Sequence, residues 1–423
     1  MMMKIDHDIP FFDTSSLLLL TEEDINNLDK IYISSITLEE LEQIKNLNKY
    51  NLDLQYSARL IIKLINQNLN KFNIIIHNSA YEIPIINKQF EINNDMKILS
   101  DAYYCNNYYE IDKIVFITND LSLYNIANLF FGSDMIKMFE SKQKEEYCGY
   151  REIYPTNEEL ELFYSDNTKN IFNLYTNEYL ILKNQTQDII DIKKWNGEKY
   201  IYLNYDSFNS EYFNNIKPYK HDIYQQMAFD SLINNKITML RGKAGSGKTT
   251  LALSYLFDRL EHGKIDKIII FCNTVATLHS AKLGYYPGDK NSKLLDSQIG
   301  NMLISKIGSR SEVERLIEEE TLILLPFSDI RGYSTSGMRA GIYFSEAQNL
   351  DCNLIKLGLQ RIGEDCICII DGDNNTQLDD IAYTGRNNGM NKVSEVFRGE
   401  DIYGEIKLQN CYRSKIAKIA ERI

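Results

Sequence analysis

RGKAGSGKTTLAL, residues Arg241–Leu253, decides the fold of the surrounding chain. Its core, Gly242–Thr249, fits G-x-x-x-x-G-K-T, preceded by the strand-like ITML and followed by the helical TTLALSYLFDRL. Strand, glycine-rich turn and helix in that order make a P-loop. Glycines let backbone N–H groups close around phosphate oxygens, and the helix N-terminus adds its positive end. Gly242, Lys243, Ala244, Gly245, Ser246 and Gly247 are the candidate cradle, with Thr249 and Thr250 opening the helix. Lys248 would reach the β/γ-phosphates and Thr249 would bind Mg²⁺. A plain Gly-rich turn competes poorly in that setting.

Outward from this loop, KITML, DKIIIFC, TLILLPF, AGIYFS, CICIID and EIKLQN read as strands with helices between them. That alternation predicts a parallel α/β sheet. Upstream, KPYKHDIYQQMAFDSL offers Gln225, whose amide suits the N6 and N7 edge of adenine; the alternative is a solvated helix face. After AGIYF, an acidic residue usually holds Mg²⁺ through its waters, and a following Glu activates the attacking water. Glu346 fills the second post, but Ser345 stands in the first. An uncharged Ser345 predicts weaker Mg²⁺ affinity with retained chemistry, because Thr249 and the phosphates carry the direct contacts. The next strand ends in Asp371, Asp373 and Gln377, where a Gln could sense the γ-phosphate. Arg413, in LQNCYRSKIAKIA, is a candidate arginine finger, or else a surface helix N-terminus.

The first 140 residues repeat the alternation, with strand-like IPFFDTSS, KIYISS, FNIIIH and DKIVFITND around helical TLEELEQIKNLNKY and SARLIIKLINQNL. Asp13 and Asp120 fall at strand ends, Glu40 on the first turn of a helix, and Asp95 lies between. The carboxyl ends of parallel strands converge on one edge, so Asp13 and Asp120 can be neighbours. Carboxylates sharing a pocket repel unless a cation neutralises them, and an all-oxygen cage suits Mg²⁺ or Mn²⁺. Such a metal polarises a phosphodiester and generates hydroxide. Each acid alone has an ordinary reading as a helix cap, and Glu40 as a partner of the helix dipole. Asp101 could replace Asp95 or point into solvent. Between the two α/β regions, GYREIYP, EYLILKN and KYIYLNYDSF suggest a small β module. The expected division is therefore 1–140, 141–218 and 219–423.

With 46 basic against 59 acidic side chains, net charge −13, the chain is no general nucleic-acid coat; a local basic groove is still allowed. The seven cysteines are scattered, and Cys366 and Cys368 read as alternate positions of a buried strand rather than a zinc knuckle. SSLLLL is far too short to span a bilayer, so no membrane partner is expected and the compartment reads as reduced and cytoplasmic.

RGKAGSGKTTLAL, GYYPGD, DIRGY, EAQN, LGLQRIG, DGDNNTQLD and YRS follow one another over about residues 215 to 423 in a way that resembles PhoH-like ATPases. That resemblance implies a core similar to the first RecA-like domain of superfamily-one helicases, with ATP and Mg²⁺ as cofactors. Two departures stand out: Ser345 for the expected Asp, and GD-x-x-x-Q for the shorter GD-x-x-Q, which bears on Gln377. The four N-terminal acids, in order over about residues 8 to 135, resemble a PIN nuclease domain, with Asp13, Glu40, Asp95 and Asp120 as metal ligands.

The combined layout implies RNA unwinding and cleavage, with single-stranded RNA as partner. Only one RecA-like domain fits in the C-terminal half, so the resemblance also implies a homo-oligomer, a hexameric ring. Tyr285 and Tyr286 are candidate base-stacking residues and Arg331 a candidate phosphate contact, against core packing and a turn cap. Three functions are compatible with these residues: an ATP-driven RNA motor with a nuclease, a nuclease switched by ATP, and a nucleotide-gated RNA-binding scaffold.

Overall fold

A computed structural model describes residues 9–46, 52–108, 114–139, 147–272, 295, 298–373 and 387–412. The chain divides into two compact units, Met1–Glu145 and Glu146–Ile423.

In the first unit, β1 (Ile9–Phe12), β2 (Ile31–Ser34), β3 (Phe72–Ile75), β4 (Ile114–Ile117) and β5 (Ile136–Lys137) form one sheet in the order β3-β2-β1-β4-β5. Every pairing is parallel. β2 and β4 are buried on both faces, which explains their unbroken apolar sequence. Phe12, Ile33 and Ile117 pack to one side, under the helices Ser35–Asn46 and Leu52–Gln67. Phe11, Tyr32 and Phe116 pack to the other, with Leu99 and Ala102 of the helix Asn94–Tyr108. Four strands lie where the alternation places them; β5, two residues long, shows no period.

The helix Ser35–Asn46 grows directly out of β2 without a loop. Glu40 is therefore its sixth residue and stands in the second turn, not the first as expected. The dipole reading loses force there, since the effect fades beyond one turn.

The second unit opens with β6 (Tyr150–Ile153), β7 (Tyr179–Lys183), β8 (Ile189–Trp195) and β9 (Tyr200–Ile201), a four-stranded sheet in that order. A helix, Asn157–Ser165, interrupts it, fixed by a reciprocal cap between Thr156 and Glu159. Leu180 and Leu182 face a small core with Trp195 and Tyr200, while Tyr179 and Ile181 face the core around Met227 and Phe229. A hairpin of β10 (Phe208–Ser210) and β11 (Asn214–Ile216) follows.

Six strands complete the unit: β12 (Ile237–Gly242), β13 (Lys267–Cys272), β14 (Leu322–Pro326), β15 (Ala340–Phe344), β16 (Ile367–Gly372) and β17 (Tyr403–Leu408). They form a fully parallel sheet, β14-β13-β15-β16-β12-β17, sandwiched between two apolar cores. In such a sheet ligands gather at the carboxyl ends of the strands. β12 delivers the P-loop to that edge between β16 and β17, with β15 one strand further on. No helix among the described residues is long and apolar enough to cross a membrane.

Candidate functional site

The P-loop joins β12 to the helix Lys248–Glu261, whose N-cap is Gly247. Gly247 holds φ at +95°, a left-handed backbone that ordinary side chains resist. Gly242 is required for another reason: a Cβ there would lie 2.8 Å from the Leu408 carbonyl oxygen and 2.8 Å from Ser246 Oγ. The loop is thus closed by β17 on its outer side. Lys248 is buried, and its ammonium donates to the carbonyls of Gly242 at 2.6 Å and Lys243 at 3.2 Å. Ser246 Oγ, also buried, has no hydrogen-bond partner among the described residues. A buried hydroxyl without a partner is costly, and a phosphate oxygen would satisfy it. The loop therefore fits a polyphosphate.

A cavity of about 660 Å³ opens beside it, lined by Ala244, Gly245, Gly247, Lys248, Thr249, Thr250, Gln225 and Glu346 among others. Gln225 is buried and accepts the Tyr219 N–H on Oε1 at 3.0 Å, which fixes its amide toward the cavity wall. Gln226 instead donates to the Lys220 carbonyl. Tyr219 and Tyr412 also line the cavity, with ring centroids 4.9 Å apart. The Tyr412 N–H donates to the Gly245 carbonyl at 2.9 Å and its hydroxyl to Asp222. Lys306 lines the same space and donates to Thr250 Oγ1 at 2.7 Å.

Past β15, Glu346 sits at φ 52°, ψ 44°, and its carboxylate accepts from Gln348 Nε2 at 2.6 Å. The Ser345 position is uncharged and buried. The acids at this edge are Glu346, Asp373 and Asp371, the last being the penultimate residue of β16. Its Oδ2 accepts from Thr249 Oγ1 at 3.1 Å and from the Tyr343 hydroxyl at 2.7 Å, and its Oδ1 accepts the Glu346 N–H at 2.9 Å. Burial, and then the Glu346 carboxylate, push the Asp371 carboxyl up to about 6. Sequence reasoning passed over Asp371 in favour of Gln377, although an acid at the end of an apolar strand was the available signal. Tyr219 and Lys306 carry no linear signal at all. Gln377, Arg413, Tyr285 and Tyr286 lie outside the described residues, and Arg331 is exposed in a turn.

In the first unit β1 and β4 are neighbours, which brings Asp13 and Asp120 to one sheet edge. Asp13 caps the short helix Thr14–Leu17 and accepts from Ser16 N at 2.8 Å and from Thr118 Oγ1 at 2.7 Å. Asp120, three residues past β4, caps the helix Leu121–Ala127 through Ser122 N and Leu123 N. Glu40 accepts from Thr14 Oγ1. Burial raises the pKa of Asp95, and the charges of Glu40, Asp120 and Asp13 raise it further, so all four acids share one field. As they stand, Asp13, Glu40 and Asp120 are each turned to a nearby donor. Among the described residues no three acidic, His or Cys side chains are grouped so as to hold an ion. The all-oxygen donor set nonetheless suits a hard divalent cation.

Asp101 takes neither role expected of it. It is fully buried, accepts from Ser34 Oγ at 2.6 Å and pairs with His77 Nδ1 at 2.9 Å, while His77 Nε2 meets Glu82.

A family model described as PhoH-like protein matches residues 216–423, and one described as PIN domain matches residues 11–130. The chain joins a PIN domain to a PhoH-like domain. Protein PhoH2 of Bacillus subtilis (strain 168) is 25% identical over 426 residues, spanning 93% of this chain and 94% of that protein. Protein PhoH2 of Thermobispora bispora is 30% identical over 199 residues, 46% of this chain and 44% of that one. Protein PhoH of Escherichia coli (strain K12) is 27% identical over 192 residues, 44% of this chain and 52% of that one. The Bacillus likeness runs through both the PIN and the PhoH-like domain; the other two cover about half of each protein. These matches make the P-loop of the PhoH-like domain a nucleotide-binding loop.

Proposed function

We propose that this chain is an ATP-dependent RNA-processing enzyme, in which ATP hydrolysis by the PhoH-like domain is coupled to metal-dependent endonucleolytic cleavage by the PIN domain. The observation that carries the ATPase half is the linkage of Thr249 to Glu346 through Asp371, beside the buried Lys248 and the partnerless Ser246 hydroxyl. Lys248 and the loop amides bind the polyphosphate, and Thr249 would hold the Mg²⁺. Glu346 accepts the proton of the attacking water, and Gln225 with Tyr219 receives the base. Mg²⁺ held there would neutralise charge developing on the phosphoryl oxygens.

For the nuclease half, Asp13, Glu40, Asp95 and Asp120 would hold Mg²⁺ or Mn²⁺, which would activate water for attack on a phosphodiester. Their shared field at Asp95 supports this reading, since a divalent cation relieves a repulsion already present. RNA as the polymer, a homo-oligomeric ring and a cytoplasmic setting belong to the same proposal and rest on likeness to PhoH and PIN proteins.

Steady-state ATP hydrolysis with Mg²⁺, with and without single-stranded RNA, tests it. Turnover stimulated by RNA and lost in Lys248→Ala and Glu346→Gln is the expected result; nucleotide binding without turnover would sink the motor. RNA cleavage sustained by a non-hydrolysable ATP analogue would make ATP a switch rather than a fuel.

A further inference from the structure

We propose that Asp371 supplies the carboxylate of the nucleotide-bound metal shell, in place of the side chain at Ser345, so that the charge of this site has moved one strand sideways. The inference rests on the reading of the P-loop as an ATP site and adds a residue to it.

The sheet register makes the exchange possible. β15 and β16 run parallel, with Phe344 level with Ile370. Asp371 is the next residue of β16 and Ser345 is the first residue past β15, so the two follow level positions at one sheet edge. β12 lies on the other flank of β16, with Leu240 level with Asp371. Asp371 thus sits between the strand that carries Glu346 and the strand that carries the P-loop. From there Oδ2 reaches Thr249 Oγ1 at 3.1 Å and Oδ1 reaches the Glu346 N–H at 2.9 Å.

A carboxylate that accepts from the hydroxyl that would ligate the metal is placed to serve that metal's shell. It orients Thr249, would accept hydrogen bonds from water on a bound Mg²⁺, and contributes the negative charge that Ser345 lacks. The same carboxylate holds Glu346 in its left-handed backbone through the bond to the Glu346 N–H. Tyr343, fully buried, donates to Oδ2 at 2.7 Å and keeps the carboxylate in that orientation.

The charge has a signature in binding that a purely structural side chain does not. Without metal, a carboxylate beside a polyphosphate repels it; with metal, the same carboxylate attracts the cation between them. Removing the charge should therefore move affinity in opposite directions under the two conditions.

The test uses the full chain and a fluorescent, non-hydrolysable ATP analogue, titrated in EDTA and across a Mg²⁺ series. Asp371→Asn, which keeps the shape and an acceptor for the Glu346 N–H, should bind the analogue more tightly than wild type in EDTA. Its Mg²⁺ midpoint should rise about tenfold or more, the loss of roughly one favourable charge contact. The exchange variant Ser345→Asp/Asp371→Ser should bring the midpoint back toward wild type. An unchanged midpoint in Asp371→Asn overturns the inference, as does an exchange variant no better than Asp371→Asn. Loss of binding in EDTA as well would make Asp371 part of the scaffold of the site and overturns it too. If wild type binds no analogue under either condition, the ATP-site reading itself fails and takes this inference with it.

Discussion

The backbone N–H of Glu346 donates to Oδ1 of Asp371 at 2.9 Å while Glu346 holds φ at 52° and ψ at 44°. A non-glycine residue pays for that conformation, and an acceptor on the neighbouring strand offsets the cost. The bond uses the main chain, so it survives a change of side chain. Glu346→Gln should therefore leave nucleotide affinity close to wild type while turnover falls by about 10²–10⁴-fold. Equal losses in affinity and turnover would show that the strained backbone, not the proton acceptor, had been disturbed.

Asp371 also sets a pH dependence of stability in metal-free protein. Its folded pKa, about 6, stands above the 3.8 of an unperturbed Asp. The folded chain keeps this proton longer than the unfolded one, so stability falls as pH rises from about 4 to about 6 and levels beyond. By linkage the total is on the order of 3 kcal/mol. Denaturant titrations in EDTA, comparing wild type with Asp371→Asn, should show a difference that grows across that window. A constant difference would count against it.

In the first unit, Asp95 is the acid on which the other three bear. Asp95→Asn should abolish divalent-dependent RNA cleavage yet stabilise the metal-free protein. Asp95 is only half-buried, so solvent screening keeps the gain small. Thermal unfolding in EDTA checks the sign; a variant that is both inactive and less stable would mean that Asp95 holds structure rather than a metal.

Lys194 Nζ meets Asp230 Oδ2 at 2.7 Å, and both are buried. Lys194→Met leaves Asp230 with the Tyr179 hydroxyl, the Asn204 N–H and the Asn234 amide but without its counter-charge. Breaking such a pair costs about 3–5 kcal/mol. The double variant Lys194→Met/Asp230→Leu should recover part of it, measured by chemical denaturation of the second unit.

The parallel sheets were legible because buried strands leave unbroken apolar runs: KIYIS and IVFI in one unit, KIIIFC and AGIYF in the other. Lys248, Thr249, Glu346 and Gln225 were legible because the P-loop and its companions depend on local spacing, and all four line one cavity. What failed to show was lateral. The helix at Asn157–Ser165 was masked by the Tyr-rich strands on either side of it, although Thr156 and Glu159 gave its cap. Asp101 looked like a spare ligand because nothing along the chain announces Ser34 and His77 as its partners. The role of Asp371 depends on which strand lies beside which, and the order β15-β16-β12 is not written in any single run.

The place of Asp371 on β16, one strand over from the end of β15 that leads to Ser345, has a consequence for how such proteins are recognised. A parallel sheet presents its chemistry as a row across strands, whereas a motif search reads one strand at a time. A charge that steps to the next strand leaves the row intact but breaks the word. Scored along β15 alone, this chain lacks an acid at Ser345; scored across the edge, it has one in Asp371 on the neighbouring strand. Sorting inactive paralogues from working ones therefore calls for counting charges per edge, not letters per motif.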